Sequence, residues 1–328
     1  MKREAKRRKR EALLLLVCLI GLVLLFLASS TDLLIKEQEK EIFHISIIIE
    51  ETGDENYVNF RKGVEQAAAD LNVDVSFVTL YESNQEKQQL AFFRREQQDG
   101  AQAIVLVPVG KMKSIVEESK SNSVPLLLVN TEQQEEDVYG LLSPDYRKMG
   151  EDLAKEIGRD WESDTLVCLI GEERQSGVSQ SFGEALSSAL EEAGFHTEIL
   201  VKGEEESLEE ALEREGWNEE KRFVAVALEP GNLEEMAELL SEGGSAGSRI
   251  GGLYGRGSRI SILNYLDKRI ITGIMVTDEF SEGYLSVRYA VEAIRKQPSI
   301  GVKQLESYYI EKEDLRKAEY EKMLYPIE

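Results

Sequence analysis

The residues of this chain best suited to chemistry are polar and aromatic side chains at the ends of short apolar runs. Residues 51–57 read Glu-Thr-Gly-Asp-Glu-Asn-Tyr, between an apolar run and a helical period. Asp54 fits either a helix N-cap or a contact to a solute. Asn56 and Tyr57 offer an amide and an aromatic face, which together can hydrogen-bond to a small polar molecule and stack on it. A later run ends at Val129 and delivers Asn130 and Thr131 to the same edge. Others deliver Arg174-Gln175-Ser176, then Glu229, then Tyr254, and a last strand-like run ends at Thr277. Donors, acceptors and ring faces at strand ends are the means of reversible recognition.

Nothing in the sequence assembles a catalytic centre. The 2 histidines, His44 and His196, sit near predicted strand starts, where a structural role is the simpler reading. No Gly-x-Ser-x-Gly elbow, Walker loop or Gly-x-Gly-x-x-Gly occurs, and Gly255-Arg256-Gly257 is too short to replace one. No Cys/His group has metal-ligand spacing. The expectation is a binding protein, not an enzyme, with no cofactor and no metal. Cys18 falls in an apolar N-terminal run and Cys168 in a predicted buried strand, so no disulfide framework is expected. The formal net charge is −23. Because the first eleven residues carry seven Lys/Arg against two Glu, the rest of the chain is more acidic still. Such a body repels phosphate backbones, which argues against a nucleic-acid partner.

The elements that must position these residues begin after an unusual amino terminus. Residues 1–11 (MKREAKRRKRE) form a basic cluster, and 12–31 hold an unbroken apolar run from Ala12 to Ala28. About 17–25 such residues span a bilayer as a helix, and the flanking Lys/Arg hold the N-terminal end in the cytoplasm. The stretch is read as an uncleaved anchor. The competing reading is a cleaved signal peptide with Ala28 and Ser30 near the cut. Either leaves the body extracytoplasmic, at the cell membrane in a single-pass arrangement for the anchor. Residues 32–42 read as a linker.

From residue 43 the chain alternates apolar runs with amphipathic periods. Phe43–Ile49, Val73–Leu80, Ala103–Val109 and Val124–Val129 are predicted strands, with helices over Tyr57–Leu71, Gln85–Gln98 and Met112–Ser119. A helix over Tyr146–Asp160 leads into a second set. There, Thr165–Ile170, Thr197–Val201 and Phe223–Leu228 are strands, and Gln180–Ala193, Glu204–Glu215 and Leu233–Leu240 are helices. Arg249–Leu253, Ile260–Leu266 and Ile270–Val276 complete it, before a final helix from Glu279 to about Lys296. Near-continuous apolar strands between amphipathic helices imply parallel sheets covered on both faces. The predicted fold is α/β, with two doubly wound parallel-sheet lobes and a cleft beyond the strand ends.

Gly273–Tyr284, Gly-Ile-Met-Val-Thr-Asp-Glu-Phe-Ser-Glu-Gly-Tyr, carries the most specific likeness. It resembles the closing strand–helix of type I periplasmic solute-binding proteins, the ribose-binding group that shares its fold with lactose-repressor-type ligand domains. Tyr57, Gly63 and Ala67-Ala68, the Asp145-x-x-x-x-Gly150 spacing, and a tail over 308–326 like that of Gram-positive members extend the resemblance over about residues 43–326. It implies two lobes joined by three crossovers near Pro144, Val276-Thr277 and Gly301–Leu305. The first lobe would hold 43–144 and 277–302, the second 145–276 and 303–328. By position in the family, Asn130, Thr131, Phe182, Glu229, Tyr254 and Thr277 would face the solute, with Asp54, Asn56 and Tyr57 from the first loop. The family's Asp and Arg contacts to vicinal hydroxyls are largely replaced at these positions. The resemblance implies an extracytoplasmic receptor for a small polar solute, a sugar first, serving an ABC-type permease or a membrane sensor kinase. The alternative is a purely signalling receptor for a non-sugar solute such as an amine or amino acid.

Overall fold

The computed structural model describes residues 2–30, 42–50, 57–80, 86–173, 176–203, 205–215, 222–243 and 249–325. Asp54, Asn56, Arg174, Gln175 and Pro326 therefore lie outside the described residues, as does nearly all of the predicted linker. The chain forms two compact units, Met1–Ile42 and Phe43–Glu328.

The first unit is built on helix α1 (Lys2–Ser30). Its large apolar side chains from Leu13 to Leu27 are each at least 50% exposed. Among the described residues, no helix is long and apolar enough to cross a membrane.

The second unit follows the predicted alternation. It opens with β1 (Phe43–Glu50), α2 (Val58–Leu71), β2 (Val73–Leu80), α3 (Glu86–Gln98), β3 (Ala103–Leu106), α4 (Lys113–Asn122), β4 (Leu126–Val129) and β5 (Gly140–Pro144). Then come α5 (Tyr146–Asp160), β6 (Leu166–Glu172), α6 (Gly177–Glu192), β7 (His196–Lys202), α7 (Leu208–Arg214), β8 (Phe223–Ala227) and α8 (Pro230–Glu242). The chain closes with β9 (Ile250–Arg256), α9 (Ile260–Asp267), β10 (Gly273–Thr277), α10 (Glu279–Ile294), β11 (Gly301–Leu305), β12 (Ser307–Ile310) and α11 (Ala318–Leu324). Two six-stranded sheets result, in the orders β11-β5-β4-β3-β1-β2 and β12-β10-β9-β8-β6-β7. All pairings are parallel except β12 against β10.

Each sheet carries a core on both faces, which is why its central strands are apolar throughout. In β1, Ile45, Ile47 and Ile49 enter one core while Ile48 enters the opposite one. In β6, Cys168 and Ile170 pack to one side, and Val167 and Leu169 to the other.

Three departures from the sequence reading have plain causes. Ile260–Leu266 lies within helix α9, where Ile262, Leu263 and Leu266 make a buried stripe at helical spacing. The short strand β5 follows a polar stretch and ends in Pro144, so no strand period announces it. Strand β11 is an edge strand with exposed residues, and it belongs to the first sheet as far as Leu305. The third crossover therefore falls at Glu306, not at residue 303.

The first two crossovers share one local design. Each delivers a strand into an aspartate that caps the next helix. Asp145 accepts from the Lys148 backbone N–H at 2.9 Å, and Asp278 from that of Ser281 at 2.8 Å. Five residues later each helix presents a glycine, Gly150 or Gly283, to a neighbouring backbone. A Cβ at Gly283 would sit 2.0 Å from the Phe60 carbonyl oxygen, and one at Gly63 2.0 Å from that of Phe280. A Cβ at Gly150 would sit 2.4 Å from the Phe182 carbonyl oxygen. Thus α10 docks on α2 in the first lobe, and α5 on α6 in the second. The third crossover is tied to the first by Gln304, whose Nε2 donates to Asp145 at 3.0 Å. Because backbone cannot yield as a side-chain tip can, Gly283→Ala is expected to cost about 1–3 kcal/mol. Chemical denaturation of the variant beside the parent measures this, and an unchanged midpoint would show that the helices separate freely.

Candidate ligand-binding cleft

The C-terminal ends of strands from both sheets open onto one cleft of ≈ 750 Å³, a size suited to a small solute. The first sheet contributes Glu50 at the end of β1 and Asn130-Thr131 after β4. The second contributes Glu172 at the end of β6, Glu229 before α8, and Arg256 at the end of β9 with Gly257 to Arg259 beyond it. The first turn of α6 adds Ser176 and Ser179, and the second crossover adds Thr277, Glu279 and Glu282.

Arg256 organises the second-lobe side. Its Nε donates to the Leu228 carbonyl at 2.9 Å and its Nη2 to Ser179 Oγ at 2.7 Å. The guanidinium lies 5.5 Å from the Tyr146 ring centroid, within range of a cation–π contact. Ser179 is placed by the cap of α6, where Ser176 Oγ accepts its backbone N–H at 3.2 Å. On the first-lobe side, Asn130 takes a left-handed backbone conformation with φ of 52°, which asparagine tolerates better than most residues. Its Oδ1 accepts a hydrogen bond from the Tyr146 hydroxyl. Thr131 Oγ1 accepts the Gln133 backbone N–H at 3.1 Å, closing a turn at the cleft edge. The rings of Tyr57 and Phe60 meet edge to face at 6.0 Å.

Three carboxyl groups in the cleft hold their protons far above the usual range. Burial pushes Glu229 up to about 7 against the opposing charge of Arg256. Burial pushes Glu279 up to about 7, opposed by the Ser258 hydroxyl and by Arg259. Glu282 rises to about 8 through burial and the neighbouring Glu279. Glu229 Oε2 accepts from Asn232 at 3.2 Å, whereas the Oε1 atoms of Glu229 and Glu282 are buried without a hydrogen-bond partner among the described residues. Burial also raises the Tyr57 and Tyr146 hydroxyls, keeping them neutral donors. The set can receive hydrogen bonds and positive charge from a solute and can offer Tyr, Ser and Arg donors in return. Among the described residues, no group of His, Cys, Asp and Glu could hold a metal ion.

Of the candidates named from sequence, Tyr57, Asn130, Thr131, Glu229 and Thr277 line the cleft. Phe182 and Tyr254 do not, and their placement corrects the expectation. Phe182 is fully buried in the core between α5 and the second sheet. On α6 it points away from the cleft, and the residue one turn earlier, Ser179, faces it. Tyr254 is also fully buried, with its hydroxyl accepting from Trp161 Nε1 at 2.9 Å and donating to Asp160 at 3.1 Å. Strand β9 runs to Arg256, further than the apolar run suggested, so its cleft end carries Arg256 and not Tyr254. Sequence reasoning missed Tyr146, Arg256, Glu279 and Glu282. The signal for the glutamates lay in the first turn of α10, where acidic residues also suit a helix N-terminus and so pass as ordinary.

A family profile described as periplasmic binding protein domain matches residues 45–298. Among solved structures, the chain is similar to GanP, a glucose-galactose binding protein from Geobacillus stearothermophilus. The TM-score is 0.71 at 15% identity, covering 84% of this chain and 100% of that one. It is also similar to a carbohydrate transporter solute-binding protein from Agrobacterium radiobacter in complex with D-arabinose, with TM-score 0.75, 16% identity and coverage of 86% and 99%. A third is an ABC transporter solute-binding protein from Agrobacterium vitis bound with alpha-D-tagatopyranose, with TM-score 0.74, 14% identity and coverage of 87% and 100%. Identities this low speak for the fold alone. Comparison with curated protein sequences finds no match.

The raised carboxyls predict how stability depends on pH. Glu282 ionises near 4.5 when unfolded and near 8 when folded, so between these values the folded state holds the extra proton. Stability is then lost as pH rises, and Glu229 and Glu279 act in the same direction up to about 7. The thermal midpoint should fall between about pH 5 and about pH 8, and Glu282→Gln should flatten the part above about pH 7. A wild-type midpoint that is level or rising over this range would contradict the placement of these groups.

Proposed function

Because the chain belongs to the periplasmic binding protein domain family, we propose that it is an extracytoplasmic receptor for a small polar solute. The observation that carries this is the cleft itself. Strand ends of both sheets converge on a volume of ≈ 750 Å³ lined by ring faces, hydroxyls, two arginines and carboxyls. A solute held there touches both lobes at once, and a hinge at the three crossovers favours closure because only the closed state makes both sets of contacts. Carbohydrate is the first class to test, since the similar proteins named above are described as binding glucose-galactose, D-arabinose and tagatopyranose.

The solute would be passed to an ABC-type permease or reported to a membrane sensor kinase. Support for a tether comes from the first unit. Helix α1 begins in a basic segment and continues as a sheath of exposed Leu, Val, Ile and Phe side chains. Apolar area of that extent in water is costly and suits a lipid environment. A tether to the cell membrane restricts how far a solute can be carried, which favours sensing.

Three measurements test the proposal. Purified protein carrying the Phe43–Glu328 unit should show a higher thermal midpoint with at least one member of a panel of sugars and small amines, because a ligand that binds only the folded state stabilises it. A flat response throughout would count against a receptor. Arg256→Ala should weaken whatever binds by about 1–3 kcal/mol, read as a change in Kd by titration calorimetry. In cells, the full chain should stay with membranes after alkaline extraction and lose that association when residues 1–42 are removed. Recovery of a soluble chain shortened at its N-terminus would favour the signal-peptide reading.

A further inference from the structure

Glu282 is the residue in the cleft whose chemistry is incomplete. It is 5% exposed, and its Oε1 is buried with no hydrogen-bond partner among the described residues. A carboxyl so placed costs free energy unless something arrives to pair with it. The other raised glutamates each have a cation acting on them. Arg256 opposes the shift of Glu229, and Arg259 that of Glu279. Around Glu282 the acting groups are Glu279 and Asp278, both negative, and the Asn130 backbone N–H, a neutral donor.

The cleft cannot supply the missing charge from its own described residues. Among the described residues its lining holds seven glutamates against two arginines, so its balance stays acidic even with Glu229, Glu279 and Glu282 protonated. Both arginines are engaged: Arg256 with the Leu228 carbonyl and Ser179, and Arg259 with Glu234. Tyr57 and Tyr146 lie near enough to Glu282 for its charge to act on their hydroxyls, and the Phe60 ring meets that of Tyr57 in the same cleft. An aromatic face next to a buried carboxylate is a favourable seat for an organic cation. A neutral sugar could hydrogen-bond to the protonated carboxyl, whereas a protonated amine would also favour its ionised form, because an adjacent positive charge opposes the burial that raises Glu282.

We propose that the solute bound in this cleft carries a protonated amine, with its ammonium paired to Glu282, supported by Glu279 and packed against Tyr57 and Phe60. This rests on the receptor reading above and narrows it to a ligand class. Arg256, Ser179 and Thr277 also line the cleft, and they would hold hydroxyls or a second polar end of the solute.

The test uses the full chain and four probes, D-glucosamine, putrescine, D-glucose and D-arabinose, by thermal shift and calorimetry. Near pH 6.5, where both amines are largely protonated, D-glucosamine or putrescine should raise the midpoint and D-glucose should not. Which of the two amines acts separates an amino sugar from a polyamine as the source of the ammonium. Glu282→Gln should weaken the active amine roughly tenfold or more, and Glu279→Gln should weaken it less. Affinity for putrescine should rise between about pH 6.5 and about pH 8, with proton release on binding seen as a buffer-dependent heat. A midpoint raised equally by D-glucose or D-arabinose, with Glu282→Gln binding them unchanged, overturns the ammonium and leaves the receptor reading standing. No response to any of the four overturns both.

Discussion

The structure depends on the close approach of two helices to the backbones beside them. Gly283 of α10 and Gly63 of α2 face each other so tightly that either Cβ would meet a carbonyl oxygen, and Gly150 of α5 does the same against α6. Each of these crossover helices begins at an aspartate cap directly after a strand end. The cap fixes where the helix starts, and the glycine fixes how near it lies. Together they set the position of Tyr146 and of Glu279 and Glu282, which occupy the first turn of α5 and of α10. The cleft wall is thus placed by contacts that themselves face the cores.

From that constraint the electrostatics follow. Docking α10 this closely buries Glu282 and partly covers Glu279 in its first turn, where a looser helix would leave both in water. Burial raises their proton affinity, and Arg259 and Arg256 offset it for Glu279 but not for Glu282. Natural proteins tolerate unpaired buried polar groups mainly where function uses them. Stability given up at the cleft is offset by four apolar cores, two for each sheet.

The arrangement also explains why the chain can share a fold with sugar-binding proteins at 14–16% identity. The sheets and the glycine contacts constrain only backbone geometry and apolar volume. The residues at the strand ends are constrained by the solute and can change class while the frame stays. In this chain the frame is retained, and the strand ends are acidic and aromatic.

Much of the fold was legible in the sequence by itself. Apolar runs such as Phe43–Ile49 and Phe223–Leu228 could only be buried strands, and their alternation with amphipathic helices required parallel sheets. The strand–helix at 273–284 stood out by its position as a candidate crossover, and the family resemblance implied the others near Pro144 and Gly301–Leu305. Side-chain direction was another matter. Tyr254 and Phe182 were candidates by position along the chain, yet a strand three residues longer turned the cleft end over to Arg256, and Phe182 enters the core while Ser179, three residues earlier, lines the cleft. Local pattern determined which segments are strands and helices, since that depends on near neighbours. Only the tertiary structure decided which polar groups meet, which stay unpaired, and that Glu282 is one of them, because burial and pairing depend on residues far apart in the chain.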